Sequence, residues 1–447
     1  MLDLLTIAAI LIAYGAFSRP LGACGFTSAM VLTAGGFVAG TAVLGLIDIS
    51  LESTVAETLS EAALVLLLFA DAARIDLRSL RRQLAWPGRL LLIGLPLTML
   101  ASTGIGLLVL PGVALLTAFL LATMLSSTDA ALGQRVVTDQ RVPDRVRQAL
   151  DVESGLNDGL AVPFFLVALD LSHAELTSGV TWAVVASAAE QIGWGVLGGV
   201  AAGVAGGALL RLASGRGWLE GPWRQVLPLA AATLAYAAAA GLGGSVFIAA
   251  FVGGMVFGEV SRGQSHGATY LTEETGELLA AVVWVSFGAI ALTWALPQVT
   301  WQIVLYALLT LTVARMVPVA IALAKTGSRL PTVAFIGWFG PRGLASIVFG
   351  LLALEEAVPD ADLVLTAVVV TVALSVFAHG ITSVPLVERY QRWHAARAAE
   401  HPGAAEAVPT DMPRLRRQPG AAQFATEGLQ AAVASGGDSG SSPEERP

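Results

Sequence analysis

Glu153, Ser154, Gly155, Leu156, Asn157, Asp158 and Gly159 are the residues whose types and spacing could do chemistry. They set two carboxylates and an amide at the head of an apolar run through Val162, Phe164, Phe165, Leu166 and Val167. On a helix Ser154 and Asp158 are four apart and share one face, while Glu153 and Asn157 share the neighbouring face. The first face could hold an ion through the Asp158 carboxylate and the Ser154 hydroxyl. The second could dock against another helix. Inside a bilayer such ionisable groups are costly and are rarely left without a role.

Composition places the run in a membrane. Hydrophobic residues make up 55% of the chain, charged residues 13%, and mean hydropathy is +0.73. A soluble domain is about 25% charged. The 48 glycines suit helices that approach closely in lipid. A net charge of −8 argues against a nucleic-acid partner. The single cysteine, Cys24, excludes an internal disulfide and a cysteine-based metal cluster.

Runs near the ~20 residues that cross a bilayer fall at 2–17, 25–46, 55–73, 90–110, 112–134, 149–171, 180–210, 226–240, 244–258, 278–296, 301–324, 332–354 and 363–387. The chain is therefore expected to be an all-α polytopic membrane protein with about thirteen transmembrane helices. With the N-terminus outside, Lys and Arg fall only in the inward loops and the C-terminal tail, apart from Arg315 and Arg342 within spans. The outward loops around Asp48, Gly112, Ser172, Gly241, Gln298 and Pro359 hold none, as the positive-inside rule requires. Residues 1–390 read as the membrane domain. Residues 391–447, rich in Ala, Gly, Pro, Ser and Glu, read as a disordered cytoplasmic tail.

The polar groups inside the spans are few. Glu153 needs a partner, because a lone buried carboxylate is costly. Arg315, in mid-span, is the natural one, with Asn157 able to bridge the pair. The fifth span ends in Ser126, Ser127, Thr128 and Asp129, which suits either a locally unwound helix or a helix N-cap. The twelfth carries Gly337, Gly340, Pro341, Arg342 and Gly343, a helix-breaking run with a fixed charge. Both interrupted spans occupy corresponding places in spans 4–6 and 11–13. The two groups are offset by seven spans, an odd number, so their topologies are inverted. Paired interruptions in inverted repeats point to a midplane binding site. Asp71, one turn from Arg74, reads as an interfacial ion pair or a contributor to that site. His379 reads as buried or interfacial.

Glu153-Ser154-Gly155-Leu156-Asn157-Asp158-Gly159 resembles the Asn-Asp motif of the monovalent cation:proton antiporter-1 family, the electroneutral sodium/proton exchangers. Ser127-Thr128-Asp129 resembles that family's Thr-Asp motif. Ala314-Arg315 and Gly340-Pro341-Arg342-Gly343 are similar to its two arginine positions. Ala130 stands where many relatives have proline. The resemblance covers residues 2 to 390. It implies a homodimer with a dimerisation domain and a six-helix core from spans 4–6 and 11–13, with unwound helices five and twelve crossing at mid-membrane.

By the same resemblance, Na⁺ is held at Asp158, Ser154, Thr128 and Asp129, and Asp71 gains weight as an ion-site residue. Glu153, Arg315, Asn157 and Arg342 form the structural network. The implied activity is exchange of one Na⁺ or Li⁺ for one proton across the cell membrane, by competition at Asp158. Asn157 is neutral where the electrogenic branch carries aspartate. Potassium/proton exchange is the alternative. No pore-lining ring suggests a channel, and Ser154 has only Glu153 and Asp158 nearby, with no histidine in the same span, which argues against an intramembrane enzyme. No cofactor is implied beyond the transported Na⁺ and H⁺.

Overall fold

The computed structural model describes residues 1–49, 54–75, 85–177, 182–261, 267–400 and 406. Arg78, Arg81, Arg82, Arg262 and His266 lie outside the described residues. The described elements are helical, apart from an isolated bridge between Gly40 and Ile47. In chain order they are α1 (Leu2–Ala23), α2 (Ser28–Ala39), α3 (Thr54–Ala73), α4 (Pro87–Val109), α5 (Leu115–Met124), α6 (Ala130–Thr138), α7 (Asp144–Thr177) and α8 (Trp182–Gly215). There follow α9 (Gly221–Leu242), α10 (Val246–Ser261), α11 (Tyr270–Gln298), α12 (Trp301–Ala322), α13 (Leu330–Trp338), α14 (Leu344–Glu355) and α15 (Ala361–Glu400). Eight of these are long and apolar enough to cross a membrane unaided.

Among the described residues each of the thirteen expected spans contains helix; the eleventh is interrupted at Thr312 alone, and two others are broken over several residues. The fifth span is α5 plus α6, interrupted at 125–129, and the twelfth is α13 plus α14, interrupted at 339–343. The division near Gly241 to Gly244 is real. Gly243 closes α9 in the left-handed region at φ 71°, a conformation that glycine adopts without steric cost. The long seventh span is one continuous helix, α8.

The helices pack in two groups. In one, α8 lies along α9 and α10, while α3 packs on α10 and α11, and α2 on α11. In the other, α4, α5 and α7 pack together, as do α12 with α4, α13 and α15, and α14 with α15. Both broken spans belong to the second group.

Candidate functional site

The two interruptions touch. At the first, α5 stops at Met124 and its last carbonyls lose their helical partners. They are satisfied from outside. The Ser346 hydroxyl donates to Met124 O (2.7 Å), and the Ser126 hydroxyl to Thr123 O (2.7 Å). Arg342 Nη1 donates to the carbonyls of Ser126 and of Ser127, the latter at 2.9 Å. At the second interruption, Pro341 keeps the chain from continuing α13. Its carbonyl accepts from the Asp129 backbone N–H (2.7 Å).

Four half-helix ends therefore meet in apolar surroundings, and side chains match their dipoles. Asp129 Oδ1 accepts from Ala131 N (2.8 Å) and Leu132 N (3.1 Å), capping α6. Its Oδ2 accepts from Leu344 N (3.0 Å), at the start of α14. One carboxylate thus serves two N-termini. Arg342, fully buried, serves the C-terminal end of α5. His379 Nε2 lies 2.8 Å from Trp338 O at the C-terminal end of α13. A Cβ on Gly343 would overlap the Asp129 carboxylate, so this contact requires glycine there. Ala130 in place of proline does not prevent the break. The freed groups have partners, so a locked φ is not needed.

Glu153 and Arg315 form a bidentate pair at 2.5 and 2.8 Å, each residue 2% exposed. A Cβ at position 340 would fall 2.5 Å from Arg315 Nε, so Gly340 leaves room for the guanidinium. Asn157 does not bridge this pair, contrary to the expectation from spacing. Its Nδ2 donates to Thr128 Oγ1 (2.5 Å). The fork of Arg315 already meets both Glu153 oxygens, which leaves no gap to bridge. Thr128 Oγ1 also lies 3.0 Å from Ser154 Oγ. Thr128, Ser154 and Asn157 thus join the fifth span's break to α7.

Asp158 lies one turn beyond Ser154 on α7 and is partly exposed, whereas Glu153 and Asn157 are buried. A small cleft lined by Gly133 and Val137 of α6, Leu150, Asp151 and Ser154 of α7, and Phe339 runs from Ser154 toward the α6–α7 loop. Asp71 sits beside Arg74 (4.0 Å), and Arg74 pairs closely with Glu273 of α11. Sequence reasoning missed Glu273, Ser346 and Ser375, whose hydroxyl accepts from Arg342 N (2.6 Å). Glu273 carried one signal, an acid opening an apolar span. The two serines carried none beyond being hydroxyls within spans.

Residues 6–389 match the family model described as the sodium/hydrogen exchanger, transmembrane. The chain belongs to this family. Within it, the chain is 27% identical over 380 residues to the K(+)/H(+) antiporter NhaP of Alkalimonas amylolytica, covering 84% of this chain and 64% of that protein. It is 25% identical over 276 residues to a Na(+)/H(+) antiporter of Schizosaccharomyces pombe, 58% of each chain. The chain thus spans less than two thirds of these relatives' length. The structure of the sodium proton antiporter MjNhaP1 from Methanocaldococcus jannaschii superposes with a TM-score of 0.66 at 19% identity. The match covers 84% of this chain and 97% of that one, and it identifies the same fold.

Proposed function

We propose that the chain is a secondary transporter that exchanges one monovalent cation for one proton at Asp158, with Ser154 and Thr128 supplying hydroxyl ligands. The observation that carries this reading is where the crossing places α7: Thr128, at the fifth span's break, lies 3.0 Å from Ser154 Oγ and accepts from Asn157 Nδ2, and Asp158 follows one turn beyond Ser154, partly exposed. Glu153 pairs with Arg315, Asp129 caps two helix starts, and Arg342 serves the end of α5. In this reading the Asp158 carboxylate takes a cation or a proton in turn. Either one leaves the group neutral, and an empty site leaves it negative. Moving that unbalanced charge through lipid is costly, so the loaded forms cross and the empty form does not. Each limb then carries the same charge, and the exchange is electroneutral.

In this reading Asp129 is an anchor beside the ion, because its oxygens already accept three backbone N–H groups. Glu153, Arg315, Asn157 and Arg342 hold the geometry, and Asp71 belongs to its ion pair with Arg74. The cleft to Ser154 is the cytoplasmic approach, given Arg135, Arg141, Arg145 and Arg147 around the α6–α7 loop. Helices α4–α7 and α12–α15 form the moving core, carrying the site across as a body. The remaining helices form the scaffold on which two copies associate in the cell membrane, with the N-terminus outside and the tail in the cytoplasm.

Na⁺ is the preferred ion, with Li⁺ accommodated. K⁺ is the second reading, favoured by the likeness to an antiporter named for potassium. The test is pH-gradient dissipation in proteoliposomes with Na⁺, Li⁺ and K⁺ compared and the potential clamped, then varied. Saturable flux that ignores the potential is expected, and it should vanish in Asp158→Asn while that variant folds normally. Wild-type exchange by Asp158→Asn would overturn the assignment. Flux that follows the potential would overturn the one-for-one stoichiometry.

A further inference from the structure

Beyond Glu400 the structure describes Glu406, and this tail residue is buried, 2% exposed. Its Oε1 accepts from the Arg329 backbone N–H (2.9 Å) and from the Thr332 hydroxyl (3.0 Å). Arg329 is the N-cap residue of α13 and makes no cap through its own side chain. A carboxylate there satisfies an orphan N–H and meets the positive end of the helix dipole. A solvated tail explains neither the burial nor the hydrogen bonds.

The other end of α13 bears on the ion path. Thr332 Oγ1 lies 3.0 Å from the Tyr390 hydroxyl. Tyr390 stacks on Phe335 (centroids 4.4 Å apart), and Phe335 packs on Phe339 (4.7 Å). Phe339 closes α13 and lines the cleft to Ser154. A continuous set of contacts therefore runs from the tail carboxylate to the mouth of the site.

We propose that the N-terminus of α13, with Thr332 and Tyr390, is a docking site for Glu406 of this chain's own tail, and that its occupancy sets the position of Phe339 and thereby cation access to Ser154 and Asp158. The second half rests on the exchange proposed above. The first half is independent of it.

The docking is tested by amide hydrogen exchange on the full-length protein in lipid nanodiscs. Glu406→Gln and a chain ending at Glu400 are each expected to speed exchange at Arg329 to Val333 at least threefold. Unchanged protection in both overturns the docking site. The coupling is tested by flux in proteoliposomes. Both variants are expected to shift the half-saturating cation concentration on the tail side at least threefold, with Glu406→Asp shifting it less. In a Phe339→Ala background, Glu406→Gln should then have no further effect. Lost protection with unshifted half-saturation would make Glu406 a helix cap alone and overturn the coupling. Lost protection with no exchange even in the wild type would overturn the transport reading on which the coupling rests, while the docking site stands.

Discussion

Helices approach closely in this molecule by two opposite means. Between α8 and α10 the contact is made by what is missing. Gly195, Gly199 and Gly203 follow at four-residue spacing, and a Cβ on any of them would run into the backbone carbonyls of Ser245, Ala249 and Gly253. No charged residue lies on α8 from Gln191 to Leu210. Where α5 and α6 meet α13 and α14, the contact is made by charge. Asp129 and Arg342 join four half-helix ends, and Glu153 and Arg315 lock α7 to α12. A dry glycine face has one state, fixed by packing. In the proposed exchange, the charged crossing has states that a cation or a proton selects.

The largest effect expected from breaking the second kind of contact is at Glu153. Glu153→Ala leaves Arg315 buried without its partner, at a cost of about 3–5 kcal/mol. The thermal midpoint in detergent should fall steeply. Pairing the change with Arg315→Met removes the stranded charge and should restore much of the loss. An unchanged midpoint in Glu153→Ala would mean that the pair does not hold the crossing together.

A methyl group added at each contact sharpens the comparison. The Cβ of Gly199→Ala meets a backbone oxygen of α10, which cannot step aside. Overpacking of this kind costs about 1–3 kcal/mol, and the pH dependence of exchange by the folded fraction should not change. The Cβ of Gly343→Ala meets the Asp129 carboxylate and also Asp129 Cβ (2.6 Å), so the backbone at the crossing must shift. That shift breaks the Asp129 caps on α6 and α14, so exchange should fall along with stability, whereas Gly199→Ala should cost stability alone. The two variants are compared by thermal midpoint and by flux. Loss of exchange at Gly199 with none at Gly343 would reverse the assignment of static and responsive contacts.

The chain's own pattern made much of this legible. Span length and the distribution of arginine located the helices, because lipid demands a continuous apolar run and cytoplasmic loops collect cations. The Gly-Pro-Arg-Gly run announced the second break through backbone chemistry alone. The pairing of Glu153 with Arg315 followed from the cost of leaving either buried alone. What stayed hidden depended on direction rather than residue type. The spacing of Asn157 fits both a bridge to Glu153 and a bond to Thr128, and only the packing of α7 against α5 selects the second. The Ser-Ser-Thr-Asp cluster left unwinding and capping as alternatives, and the crossing uses both at once. Glu406 lies in a polar stretch with no periodicity, so nothing local could set it apart from its neighbours.

The smallest effect is expected at the α6–α7 loop, outside both contacts. There Asp139 accepts from Arg141 Nε (3.0 Å) and Nη2 (2.7 Å), and this bonding holds the Asp139 carboxyl below its ordinary value of 3.8. A carboxylate with a lowered folded-state pKa adds stability above the unfolded value. That stability is lost as pH falls through the folded one. The pair should therefore contribute fully at neutral pH and fade only below about pH 4. Arg141 is 42% exposed, so screening keeps the contribution within about 0–1 kcal/mol. Arg141→Ala should lower the thermal midpoint slightly at pH 7 and by progressively less as the pH falls below about 4, with exchange unchanged. A large loss of exchange in Arg141→Ala would place this loop within the ion path and extend the responsive region beyond the crossing.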